Sequence, residues 1–222
     1  HLHYGETLLQ FLSTPNLMIG LPASSKMADT TRDRAQTALQ LARKIGDQRH
    51  QSLALGILAR LNYQTNRLEA AQSTAMEALN LAQSISAWDL SYQWRYLLAQ
   101  LAQKQRNSTK AIEHYRAAIV NLNQVREMLS GGNLELQLSF RDKIEPVYRE
   151  YLQLLLDQPN PDLKSAIAIN SQLQITELEN FLRCGKLDLV PLNQVPTSKN
   201  EPIIYVLKLI DHYEVIVQLA NR

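Results

Sequence analysis

Cys184 is the only cysteine among the 222 residues and the side chain with the greatest intrinsic nucleophilicity. A thiol attacks a substrate when a nearby base and a positive environment hold it as thiolate. Cys184 follows ELENFLR at the end of a helical run, with no histidine near it in the chain, and reads as a packed structural thiol. The histidines are His1, His3, His50, His114 and His212. His1 and His3 form a metal-chelating spacing, but no further ligand types gather near them, and the other three are isolated. Glu177 and Glu179 form an acidic pair on a helix with polar neighbours, which reads as a solvated face rather than an acid–base couple. No glycine-rich phosphate loop and no G-x-S-x-G elbow occurs. The expectation is a chain with no catalytic residue, no metal and no cofactor of its own.

Composition narrows the remaining classes. Twenty-three basic and 21 acidic residues leave a net charge of +2, without the basic excess that displaces counterions from nucleic acid. No apolar run nears the roughly 18 residues of a membrane span, so neither nucleic acid nor membrane is expected as a partner. One cysteine closes no internal disulfide, which points to a reducing, cytoplasmic setting. The chain starts at His1 rather than Met and reads as a fragment.

The elements that would position any site are helical and repeat. Leu58-Ala59 recurs as Leu98-Ala99, Leu61 as Leu101, Ala71 as Ala111 and Ala78 as Ala118, all forty residues on. ALQLARKIGD (38–47) recurs as ALNLAQSISA (78–87) at the same offset. A fixed period of this size signals stacked helical units that present a surface, not one closed core. Apolar spacing predicts helices over about 25–45, 48–64, 68–85, 88–105 and 108–128, with Gly46-Asp47, Asn66-Arg67 and Arg106-Asn107 as breaks and Ser108 as a cap. Ala59 and Ala71, like Ala99 and Ala111, would let paired helix axes approach closely.

This pattern resembles the tetratricopeptide repeat. Ala59, Ala71 and Ala78 fill that family's three small positions in one unit, and Ala99, Ala111 and Ala118 fill them in the next. Tyr115 takes its aromatic position, where the first unit has Ala75, while Leu55 and Arg95 replace its early Trp. The family's period is about 34 residues, so these units look extended. The resemblance implies an α–α superhelix whose first helices line a groove. Carried over residue by residue, the groove holds Arg60, Tyr63 and Gln64, then Tyr96, Gln100, Gln103 and Lys104. This polar, mildly basic strip with aromatic anchors suits an extended peptide of some acidic character; the alternative is a solvated groove.

Ser130-Gly131-Gly132-Asn133 interrupts the array. Two helices are expected beyond it, one with Pro146 near its start, the other capped by Asp162 with Ala166, Ile169, Leu173 and Leu178 inward. A proline-bearing linker follows, and then IIYVLKLI and YEVIVQL flank Asp211-His212 as a β-hairpin with a two-residue turn. In that order, SFRDKIEPVYREYLQLLL (139–156), LQITELENFLRCG (173–185) and PIIYVLKLIDHYEVIVQL (202–219) resemble the region leading into a CHAT domain. That caspase-like fold occurs in many cyanobacterial and other proteins. The resemblance implies a cysteine peptidase parent whose His–Cys dyad lies beyond Arg222, with this part non-catalytic. The expected organisation is all-α repeats over 1–130, flanking helices over 131–185, and linker plus hairpin over 186–222. The expected function is a protein–protein interaction scaffold with a protein or peptide partner. The alternative is self-assembly, as a homo-dimer through the helices or the hairpin.

Overall fold

Every twentieth residue from 46 to 106 takes a left-handed backbone: Gly46 (φ 74°), Asn66 (φ 58°), Ser86 (φ 54°) and Arg106 (φ 58°). Each stands just past a helix end and closes the same pair of bonds. The amides of Asp47, Arg67, Ala87 and Asn107 donate to the carbonyls of Ala42, Asn62, Ala82 and Ala102, at 2.8–2.9 Å. The amides of Gly46, Asn66, Ser86 and Arg106 donate to Arg43, Tyr63, Gln83 and Gln103. This double closure satisfies the orphan carbonyls of a helix end while reversing the chain. A computed structural model describes residues 25–128, 143–182 and 202–219. Cys184, His1 and His3, the segment before Ser25, the Ser130–Asn133 break and the linker lie outside them.

The helices are α1 (Ser25–Ile45), α2 (Gln48–Gln64), α3 (Leu68–Ser84), α4 (Trp88–Lys104) and α5 (Ser108–Met128), then α6 (Glu145–Leu156) and α7 (Leu163–Leu182). Strands β1 (Ile203–Lys208) and β2 (Tyr213–Gln218) follow. The described chain is therefore mostly helical with one small antiparallel hairpin. Helices α3 and α4 each stop one residue short of the expected ends, at Ser84 and Lys104. The chain divides into two compact units, at Leu122 and Asn123.

In the first unit the forty-residue period covers α1 as well. Thr31, Ala71 and Ala111 are buried at equivalent places on α1, α3 and α5, as are Ala38, Ala78 and Ala118, and Leu39, Leu79 and Ile119. Three second helices thus share one design around the two first helices, α2 and α4. Asp47 caps α2 by accepting from the His50 amide at 3.0 Å. The cap of α5 is Asn107, which accepts from the Lys110 amide at 3.1 Å; Ser108 is already inside the helix.

One side chain locks the two first helices together. Trp94 of α4 is fully buried, and its ring occupies the space where Gly56 of α2 has no Cβ: a methyl there would fall 1.9 Å from the ring. The indole Nε1 donates to Ser52 Oγ at 2.9 Å, and that hydroxyl donates to the Ala78 carbonyl of α3 at 2.7 Å. The next unit holds Tyr96 where the first has Gly56, and Tyr115 where the first has Ala75. Their rings stand 6.1 Å apart as a tilted pair, at two positions where the first unit has no aromatic ring.

In the second unit Pro146 sits in the first turn of α6, where its missing N–H costs least. Val147, Tyr148, Tyr151, Leu152 and Leu155 form its buried face. Asp162 caps α7 by accepting from the Ser165 amide at 3.0 Å. Ala166 and Leu173 of α7 are buried and Ile169 is half-buried, but Leu178 is 40% exposed, because the buried line drifts around the helix toward Thr176 and Glu179. The acidic pair is not a solvated face either: Glu179 is buried, and Glu177 accepts from Arg149 at 2.8 Å.

The hairpin pairs Ile203 with Gln218 through to Lys208 with Tyr213. Its loop is Leu209–His212, closed by the Leu209 amide on the His212 carbonyl at 2.8 Å. The expected two-residue turn fails because Asp-His resists the left-handed backbone that such a turn demands. Alternation places Tyr205, Leu207 and Ile216 on a buried face and Ile204, Val206, Val215 and Val217 on an exposed one.

Helix propensity alone favours Gly56→Ala by about 0.5–1 kcal/mol. Overpacking against the pinned Trp94 ring costs about 1–3 kcal/mol and reverses the sign. Urea denaturation is expected to show net destabilisation by Gly56→Ala in the native sequence and stabilisation in a Trp94→Leu background.

Candidate interaction strip on the first helices

Helices α2 and α4 are equivalent, and residues one period apart share a face. Arg60 corresponds to Gln100, Tyr63 to Gln103 and Gln64 to Lys104; Tyr96 corresponds to Gly56. Within each helix these positions follow the three- and four-residue spacing of one stripe. All seven are accessible: Gln64 and Lys104 are exposed, and Arg60, Tyr63, Tyr96, Gln100 and Gln103 are half-buried.

The structure brings some of them together. Lys104 Nζ stands 4.3 Å from the centroid of the Tyr63 ring, a cation–π contact between consecutive units. Gln103 Oε1 accepts from the Tyr115 hydroxyl at 2.7 Å, which orients the amide from beneath. Tyr96 leans on the same Tyr115 ring at 52°. One buried tyrosine of α5 therefore supports two members of the strip. No local pattern marks Tyr115 as this support; the paired exchange of Gly56 for Tyr96 and Ala75 for Tyr115 is the signal in the sequence that points to it.

Further polar pairs join neighbouring helices of the repeats. Arg49 and Asp89, at equivalent positions near the starts of α2 and α4, pair at 3.1 Å. Arg32 of α1 donates to Asn62 Oδ1 at 3.2 Å. Burial drives the Tyr92 hydroxyl far above its ordinary range, with Asp89 adding to the rise and Arg60 opposing it. On α5, His114 Nδ1 lies 3.3 Å from Arg95 Nη1 of α4. Burial lowers the His114 pKa, and Arg95 and Lys110 lower it further against the opposing pull of Glu113.

The strip offers hydrogen-bond donors, two cations and aromatic faces, which is binding chemistry. Among the described residues, no three His, Cys, Asp or Glu side chains gather as a metal site, and no helix is long and apolar enough to cross a membrane. The chain matches no family model, and no curated protein matches it.

His114 sets a pH dependence. Its folded pKa lies below the ordinary 6.5, so the unfolded chain takes up the proton first. Its effect is absent above that value, and stability falls as pH drops below it. Denaturation midpoints compared at about pH 7.5 and about pH 5.5 are expected to fall more in the native chain than in His114→Gln.

Proposed function

We propose that the repeats are a protein–protein interaction scaffold of tetratricopeptide type, an α–α superhelical arm that regulates a CHAT-type caspase-like domain. On this reading the described chain is non-catalytic, the hairpin begins that domain, and the seven-residue strip lies in the groove. A protein or peptide partner bound there shifts the arm and alters the caspase-like domain joined to it. The Lys104–Tyr63 contact carries the reading. It places an exposed cation and an aromatic ring from consecutive units on one accessible stripe, where an extended peptide meets both.

The strip carries Arg60 and Lys104 and no carboxylate, so the partner segment is extended, with backbone amides for Gln64, Gln100 and Gln103 and some acidic side chains. With the full chain as bait, the combined Tyr63→Ala, Tyr96→Ala and Lys104→Glu changes are expected to weaken capture of the partner by about tenfold or more. A partner held undiminished by that variant would refute the groove assignment.

The exposed Ile204, Val206, Val215 and Val217 favour a second reading, self-assembly through the hairpin. Light scattering decides it. A dimer that dissociates on Val206→Lys with Val215→Lys belongs to the hairpin, and one that persists belongs to the helices.

A further inference from the structure

We infer that Arg149 is a coupling residue that makes strand β1 follow the spacing of helices α6 and α7. Its side chain leaves α6 only 10% exposed and contacts three elements at once. Nε donates to Glu145 Oε1, one turn back on α6, at 2.9 Å. Nη2 donates to Glu177 Oε1 of α7 at 2.8 Å. Nη1 donates to the backbone carbonyl of Lys208, the last residue of β1, at 2.6 Å. Lys208 Nζ also stands 4.0 Å from Glu145 Oε1, so the same carboxylate meets the strand end a second time.

The physics of the guanidinium turns this junction into a device. The group keeps its charge at any physiological pH, so a buried one must keep its anionic partners. Those partners stand on two different helices, and both are kept only while α6 and α7 hold their spacing. The fork is rigid and planar, and its five N–H groups point in fixed directions. A slide of α7 along α6 drags the Glu177 arm, rotates the plane and takes Nη1 off the Lys208 carbonyl. The strand end is gripped by its main chain, so the coupling does not depend on the side chain at position 208. Lys208 also pairs with Tyr213 directly beside the loop, so releasing it frees the closed end of the hairpin. In the arm proposed above, this junction is where helix movement becomes strand movement; the coupling itself stands without that reading.

Hydrogen exchange on the full chain tests it. In Arg149→Lys, which keeps a charge and loses the fork, and in Glu177→Gln, which neutralises the α7 arm, the β1 and β2 amides are expected to exchange about tenfold faster or more. Amides in the middle of α6 and α7 are expected to stay within about twofold of the native chain. Unchanged hairpin exchange in both variants would overturn the proposal. Equal acceleration of helices and hairpin would overturn it too, because Arg149 would then only hold the unit together. If Arg149→Lys does not fold, Glu177→Gln decides alone, since its carboxylate is partly solvated and its loss leaves Glu145 on the guanidinium.

Discussion

Trp94 in the notch of Gly56 is the constraint on which the repeat array depends. It joins α4 to α2 by close packing, and through Ser52 it reaches the Ala78 carbonyl of α3. One indole thus fixes three helices from two units. The alanines permit this approach without specifying it. Ala59, Ala71 and Ala78 bring the axes close, but small side chains slide past one another. The donor on the indole supplies the specificity, since leaving it unpaired in the core costs about 1–3 kcal/mol. With α2 and α4 held in phase, Tyr63 and Lys104 come within reach of each other.

The array was legible because its signals are periodic. A match at forty residues sums over many positions, and the helix starts at Gln48, Leu68, Trp88 and Ser108 follow from it directly. The left-handed stops were legible only in part. Gly46 and Asn66 are residue types that accept a positive φ, whereas Ser86 and Arg106 are not, and the Schellman bonds hold them there regardless. Cap chemistry was ambiguous between neighbours of the same type, which is why Asn107 rather than Ser108 serves α5. Of the candidate strip, the shared face was readable from spacing. The tyrosine beneath it and the ring over the lysine ammonium depend on packing between units, which no local pattern encodes.

The second unit was less legible because its decisive contacts are polar and far apart in sequence. Arg149 meets Glu177 28 positions away and the Lys208 carbonyl 59 positions away. Charges on a helix ordinarily read as solvent-facing, and nothing local separates Glu179, which is buried, from its exposed neighbours. The hairpin differs again. Its strands were plain from their β-branched runs, yet its loop is longer than two residues because Asp211 and His212 resist the left-handed backbone of the shorter turn.

The left-handed stop at every twentieth residue has an evolutionary consequence. Each helix advances about 100° per residue, so losing a single residue from α3 turns everything downstream by more than a quarter of a circle. Such a deletion would carry Lys104 away from Tyr63 and Trp94 out of its notch. Gain or loss of a full forty-residue module leaves every angle unchanged. The architecture therefore tolerates change in whole modules far better than in single residues, and duplication is the natural route by which such an array lengthens.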